Sequence, residues 1–587
     1  MLKTVLRACA LLAAIVPLRA IAPAGCDGTP AYSPCDLYFD LSAADAKAHP
    51  DPWTTANIQV EFRAPDYHTW SMPAFWDGQR MVVRFAPTEP GRWTWMTTSN
   101  MPDYDGKSGT FNCVESQSQG FIITANMHHW ATLDQQVVID PKKPHLWIGD
   151  VADRLAFISD DEFEKKLRAT IQNKFTHLRV VVLGSSSDAE RVMPQGHPNP
   201  TFFDLLDQRL LEINKHGISP DLVLADNPDA ISHVLPTWQA RKRFVRYLTG
   251  RYAALNMTWQ GVLEFEDYKG GRALLKEIGD DIKGEDPYQH PRSTNAKITS
   301  SPLMADGWMT FIIGRNTQPG DEQIASVEHQ LYPVPYVAVT TAARLWSTTS
   351  SGAYPVFAGG NEFEAKHWFE LISDTRHWEM EPYFDVDGGS AIALDGTEYI
   401  LYVDKPGPPV EVLTDSHKYD VWWFNPLTGD SIPVKDYRGR HYTGTPPDTL
   451  HPWVLDVARE SHKASMLHSY RFQSVDVQLQ EMEQDLQKIP YQITAPAEDT
   501  LSMSVPAPYE VKVKRMTRGT RTMMYLWTGE VAGGAEGFRV LGTGDAGTLH
   551  IPQLFLGSAG AVLDVRVQAI NANGKAYQLD KLYQMAQ

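Results

Sequence analysis

The sequence predicts a multidomain protein: a central (β/α)8 TIM barrel flanked by N-terminal and C-terminal β-sandwich domains. Three observations carry this. From about residue 140 to 385, strand-length apolar runs alternate with helical periodicity, the pattern of a parallel α/β domain. Before that stretch, short alternating runs are separated by turns containing Gly and Pro, as in a β-sandwich. After it the helical period stops and strand-like runs return. At 587 residues the chain has room for about four domains, and its division reads as 30–125, 140–385, 386–462 and 465–587, after a leader at 1–24.

In the first module Asn57-Ile-Gln-Val-Glu-Phe-Arg63 alternates, Met81-Val-Val-Arg-Phe85 forms a second strand, and Arg92-Trp-Thr-Trp-Met96 follows the turn Glu89-Pro90-Gly91. The barrel opens with Leu146-Trp-Ile-Gly-Asp150 as its first strand. Ser159-Asp-Asp-Glu162 reads as a capping box starting a helix that runs to about Phe175. Leu178–Leu183 is the second strand. A helix over Phe203–His216 ends at Gly217, placed as its C-terminal cap, and leads to the third strand, Ile218–Asp226. Ala240, Phe244, Leu248 and Tyr252 mark one helix face, and Trp259–Phe265 is the fourth strand. Shorter strand candidates follow at 292–295, 308–314 and 324–328. A helix at 336–350 and a last strand at Ala353–Phe357 bring the count to eight, enough to close a barrel. Ser390–Val403, Val421–Phe424 and Trp453–Val457 then read as strands of a second sandwich. Tyr509–Lys514, Met523–Trp527 and Val562–Ala569 belong to a terminal module. The stretch 470–500 fits helix, linker or strand.

Apolar residues make up 43% and charged residues 21% of the chain, with 17 Trp, which excludes a mainly disordered chain, a collagen and a coiled coil. Lys3 and Arg7, the apolar stretch Ala8–Leu18 and Ala22-Pro23-Ala24 read as a secretory signal peptide. Its loss would lower the net charge from −18 by three, to −21. No basic stripe accompanies that charge, so nucleic acid is not an expected partner. A neutral substrate fits this charge better than a polyanion. No later run is long and apolar enough for a transmembrane helix. The expected location is secreted: periplasmic, extracellular or anchored at the outer membrane of a bacterium. Beyond Cys9 in the leader, Cys26, Cys35 and Cys113 remain. One reading makes Cys26 a lipid anchor with Cys35 and Cys113 paired. The other pairs Cys26 with Cys35 and leaves Cys113 free. No Cys or His spacing points to a metal, and no cofactor is expected.

Catalytic groups of a parallel barrel stand at the carboxyl ends of its strands. That rule selects Asp150, Asp226, Glu264, Glu266 and Glu328. Glu264 shares a strand face with Gln260 and Val262, and its apolar neighbours suit a general acid. Two carboxylates across a barrel mouth make glycoside hydrolysis the natural chemistry. Glu264 and Glu328 are the expected catalytic pair, with Glu266 and Glu362 as rivals. Asp150, Asp226, Glu266, Asn295, Trp308 and His329 are the expected sugar-binding residues.

Several segments over about residues 30–460 resemble apiosidase-like glycoside hydrolases. Phe75-Trp-Asp-Gly78 through Arg84-Phe-Ala-Pro-Thr-Glu-Pro-Gly-Arg-Trp93 is similar to the small sandwich that precedes their barrel. Trp147-Ile-Gly-Asp150 resembles their first barrel strand. Trp259-Gln-Gly-Val-Leu-Glu264 resembles the fourth strand, whose acid serves as acid/base. Ala325-Ser-Val-Glu328 with Arg344-Leu-Trp346 and Ser351-Gly352 resembles the nucleophile strand and the helix after it. Trp422-Trp-Phe-Asn-Pro-Leu-Thr-Gly429 resembles the module called collagen-binding in such proteins, a label taken here as a name only. The resemblance implies a retaining glycosidase acting on a polysaccharide or oligosaccharide, with Glu264 as acid/base and Glu328 as nucleophile. Two departures stand out: Val262 and Leu263 replace the glycines usual before the fourth-strand acid, and little of the usual Pro-Val-Val-Asn survives before Glu328. A different register puts the seventh strand at Pro333–Val339 and Thr340 where the nucleophile belongs. That register implies a carbohydrate-binding surface protein on a degraded barrel.

Overall fold

The computed structural model describes residues 25–133, 142–359, 362–460, 489–502, 509–516, 522–532, 539–544, 546–551, 559–571 and 575–586. The leader and residues 461–488, which include most of the ambiguous 470–500 stretch, lie outside the described residues.

The N-terminal module is a sandwich. A five-stranded sheet contains Ile58–Arg63, Gly91–Ser99 and Ser108–Val114, and a three-stranded sheet contains Cys35–Asp40 and Arg80–Phe85. Alternation gives the inner face its aromatic rings. Phe62 stacks on Phe85 at 3.9 Å, with Trp93 and Phe111 beside them. Arg84 is the exception on its strand and reaches the barrel. It pairs with Asp36 at 2.9 Å and with Asp207 at 3.0 Å, and Asp207 also accepts from Arg251 at 2.7 Å. These buried charges lie close enough to compensate one another's desolvation. Cys26 and Cys35 form a disulfide and Cys113 is free and buried. The lipid-anchor reading is thereby corrected, because the thioether of an anchor would need the Cys26 sulfur.

The barrel sheet has eight parallel strands: Gly149–Val151, His177–Leu183, Ser219–Ala225, Thr258–Leu263, Arg292–Asn295, Ile312–Asn316, Tyr336–Thr340 and Tyr354–Phe357. Ladder pairing runs from the first strand to the fifth, and from the first through the eighth to the sixth. The seam between fifth and sixth strands is closed by other bonds, such as Thr310 N donating to Arg292 O at 2.8 Å. The capping box forms as expected: Ser159 Oγ accepts from Glu162 N, and the Glu162 carboxylate accepts from Ser159 N at 2.8 Å, opening the helix Asp160–Gln172.

Two elements differ from the sequence reading. Residues 324–328 lie in the helix Asp321–Leu331, and residues 336–340 are the seventh strand rather than the start of a helix. The cause is burial from two sides. The helix packs on the barrel through Ala325 and meets Leu526 and Ile570 of the terminal module through Ile324 and Val327. Apolar residues therefore occupy successive positions, which imitates a buried strand. The first and sixth strands also begin later than expected, at Gly149 and Ile312.

Beyond the barrel, a seven-stranded sheet from Glu381 to Arg459 curls around Tyr399, Leu401, Tyr419, Trp423 and Leu455. Ile400, Tyr402, Phe424 and Val454 pack against Trp346 of the barrel. The terminal module faces a three-stranded sheet against a five-stranded one around Val511, Trp527 and Val565.

Candidate active site

A cavity of about 400 Å³ lies at the carboxyl ends of the barrel strands, lined by residues that include Arg179, Asp226, Glu264, Asp267, Asn295 and Arg315. Each comes from a strand or the turn just beyond it, so the topology alone gathers these side chains in one place.

Glu264 follows the fourth strand with φ +52° and ψ +57°. A left-handed backbone is uncommon for a residue with a side chain. Such conformations persist when surrounding contacts hold them and cluster at functional sites. Here Glu264 N donates to Asn295 O at 2.7 Å. The Glu264 carboxylate pairs with Arg315 from the sixth strand, and both side chains are more than a third exposed. The apolar setting expected for Glu264 is thus an ion pair at an open mouth. Asn295, at the end of the fifth strand, accepts from Arg179 Nη1 at 3.2 Å and donates to Gln260. Arg179 makes a two-pronged pair with Asp153, both bonds 2.8 Å. Asp226 follows the third strand, and strand register carries it level with Leu263, one residue before Glu264. Burial pushes the Asp226 carboxyl up, and the nearby Asp153 charge adds to the effect.

The expected residues divide sharply. Glu264, Asp226 and Asn295 meet at the mouth. Glu328 does not. It sits in the helix before the seventh strand, 1% exposed, and accepts from Ser301 Oγ at 2.5 Å and Thr299 Oγ1 at 2.6 Å. Burial pushes its carboxyl up to about 7 against the pull of those hydroxyls. The position expected of it at the end of the seventh strand is occupied by Thr340, which is buried and donates to Asn316 O at 3.1 Å. Asp150 turns outward from the short first strand and pairs with Lys166 of the following helix. Burial pushes its carboxyl up, with Lys166 opposing. Glu266 is not among the residues lining the cavity and accepts from Lys297 N at 3.0 Å. Trp308 is fully buried against Gly279, where an added Cβ would lie 2.2 Å from its ring, so it has no face for a sugar. His329 is buried in the same helix as Glu328 and pairs with Glu381. Glu362 accepts from Asn173 Nδ2 at 2.8 Å.

Sequence reasoning missed Arg179, Arg315, Asp153 and Asp267. Arg179 carried a usable signal, because a lone charge in the apolar run 178–183 must face a polar interior. Arg315 lay just past the sixth strand as first placed.

Comparison with known proteins agrees with this architecture. Residues 134–340 match the model of the apiosidase-like catalytic domain, and residues 29–100 match a domain of unknown function, DUF5060. A solved Bacteroides vulgatus protein assigned to the glycoside hydrolases superposes with a TM-score of 0.61 at 15% identity, covering 74% of this chain and 100% of its own. A glycoside hydrolase family 5 protein from the same species gives a TM-score of 0.50 at 12% identity, covering 62% of this chain and 97% of its own. At such identities the likeness is one of fold. No curated protein matches the chain. The barrel has the fold of glycoside hydrolases, and residues 134–340 are similar to the apiosidase-like catalytic domain.

Proposed function

We propose that the protein is an exported glycoside hydrolase that cleaves a neutral oligosaccharide or polysaccharide at the barrel mouth, using Glu264 and Asp226. The observation that carries this reading is their convergence on one cavity in different surroundings. Asp226, with its carboxyl raised by burial, is suited to protonate the leaving oxygen. Glu264 faces the Arg315 guanidinium and is suited to attack the anomeric carbon. Parallel neighbours lie about 4.8 Å apart, and the register offsets the two acids by one residue. A carboxyl separation of about 5–5.5 Å corresponds to a retaining course and one of about 6.5–9.5 Å to an inverting one. Arg179, Asn295 and Arg315 would hold sugar hydroxyls. Export is supported by the basic and apolar leader of residues 1–24 and by the Cys26–Cys35 disulfide, which needs an oxidising compartment.

The test is a screen of plant and algal polysaccharides for released reducing sugar, followed by NMR of the first anomer formed. Net retention is expected. With an activated substrate, Glu264→Ala should lose glycosyl-enzyme formation and regain turnover with azide, giving an inverted product. Rescue at Asp226→Ala with inverted product, and none at Glu264→Ala, would reverse the two roles. A second reading rests on Thr340, which stands where the family places its nucleophile: the site then holds a sugar without cutting it. Saturable binding with no release of sugar from any substrate in the screen would favour that reading.

A further inference from the structure

At the opposite end of the barrel from the mouth, three histidines converge on one carboxylate. His128 and His129 come from the hairpin formed by Ile123–Ala125 and His129–Leu133, His329 from the helix before the seventh strand, and Glu381 from the first strand of the C-terminal sheet. The ligating atoms of His128, His329 and Glu381 all lie within 4.8 Å of one another. His128 Nδ1 is 3.0 Å from Glu381 Oε1 and 3.1 Å from Oε2, and His329 Nε2 contacts Oε2 more closely.

The first observation is the placing of the two nitrogens of His128. Its Nε2 lies 3.2 Å from the carbonyl oxygen of Tyr332, which can only accept, so Nε2 carries a proton. Nδ1 faces both oxygens of the Glu381 carboxylate, so a positive charge, a proton or a metal ion, belongs between them. A ring nitrogen donating to a backbone carbonyl while the other faces an acid is the habit of metal-bound histidine. The second observation is His129. Its Nε2 is buried, lies 3.4 Å from Glu381 Oε1 and makes no hydrogen bond, while its Nδ1 is held by the Tyr354 hydroxyl at 2.8 Å. A buried nitrogen near an oxygen but not bonded to it fits neighbours that share an ion. Tetrahedral ligands about 2.1 Å from zinc stand about 3.4 Å apart, so His128 and His329, which lie closer than that to the Glu381 carboxylate, would each draw back to admit an ion.

We propose that His128, His329 and Glu381 bind a divalent ion of the zinc class, with His129 as the nearest further donor. Two imidazoles and one carboxylate suit zinc better than calcium or magnesium, which prefer oxygen. The ligands come from three segments, so the ion would pin the hairpin, the barrel and the C-terminal sheet together. Glu381 is half-buried, which leaves an entry path from solvent. The acidic group Asp420, Asp436 and Glu460 is no rival, because Lys418 already pairs with Asp436 at 3.1 Å and with Glu460.

The test is metal analysis of the purified full-length protein after dialysis against zinc and gel filtration. About one zinc per chain is expected. Cobalt exchanged into the same protein should give the visible absorption of a four-coordinate nitrogen and oxygen site. Glu381→Gln keeps the size of the side chain and should weaken zinc binding at least about tenfold. Chelation should lower the melting temperature of the wild type but not of this variant. A wild-type protein that holds no zinc and gives no cobalt spectrum would overturn the proposal, leaving an imidazolium–carboxylate cluster. Unchanged binding by Glu381→Gln would also overturn it by placing the ion elsewhere.

Discussion

The two ends of the barrel use their charged residues in opposite ways. At the mouth, Glu264, Asp226, Arg179 and Arg315 line an open cavity. The Glu264–Arg315 pair is more than a third exposed on both sides, and a substrate can replace it at modest cost. At the floor, His177 Nδ1 meets Asp221 Oδ1 at 2.9 Å, Thr258 Oγ1 donates to the same oxygen at 2.7 Å, and all three side chains are buried. Glu328 and His329 belong with that second kind. Two glutamates on one barrel, Glu264 and Glu328, thus stand in different settings, and burial separates them more surely than any neighbouring sequence.

The largest expected effect that would sharpen this contrast concerns Glu328. Its folded value of about 7 lies above the unfolded one of about 4.3, so the folded state holds the proton more tightly. The resulting stability is fully present below about pH 4.3 and is lost as pH rises through about 7. Glu328→Gln, which imitates the protonated form, should therefore be more stable than wild type at pH 8, by on the order of 3 kcal/mol. The gain should vanish below about pH 4. Urea unfolding at the two pH values checks it, and equal gains at both would break the contrast. Next is Asp226→Asn at the mouth. Turnover on a substrate with a poor leaving group should fall about a hundredfold, and much less on an activated one that needs no proton. An equal loss on both would remove the proton-donor role. The smallest effect lies outside the barrel. Cys35→Ser should cost about 2–3 kcal/mol by opening a short loop, with turnover unchanged. Peptide mapping of the wild type without reductant should give Cys26 linked to Cys35, and Cys113 alkylated only after unfolding.

Much of the fold was legible because each element obeyed one local rule. The capping box at Ser159 and Glu162, the four-residue spacing from Ala240 to Tyr252 and the alternation of Ile58–Arg63 each report a single buried face. Legibility failed where two faces are buried. Ile324, Ala325 and Val327 pack both inward and against Leu526 and Ile570 of a module some 200 residues further along the chain, so their helical period is hidden. The error at that helix carried Glu328 and His329 to the wrong end of the barrel. Asp150 failed for another reason. Its strand is three residues long, and a shift of one residue turns a side chain from the interior to the helix layer. Glu264, Asp226 and Asn295 were legible because each lies at its strand's carboxyl end to within one residue. The fourth strand nevertheless stops at Leu263 and the third at Ala225, one residue short of the acids placed in them. The histidine–glutamate cluster had no signal in the sequence, since His128, His329 and Glu381 come together only through the tertiary fold.

The most direct test of the division between the two ends is to measure kcat/KM for Glu264→Gln and Glu328→Gln side by side, on whichever glycoside the screen identifies and at a pH where both variants are folded. A catalytic carboxylate at the mouth predicts a loss of about a thousandfold for Glu264→Gln and a change within about twofold for Glu328→Gln. The reverse pattern, with Glu328→Gln inactive and Glu264→Gln near wild type, would contradict the placement of the chemistry at the mouth.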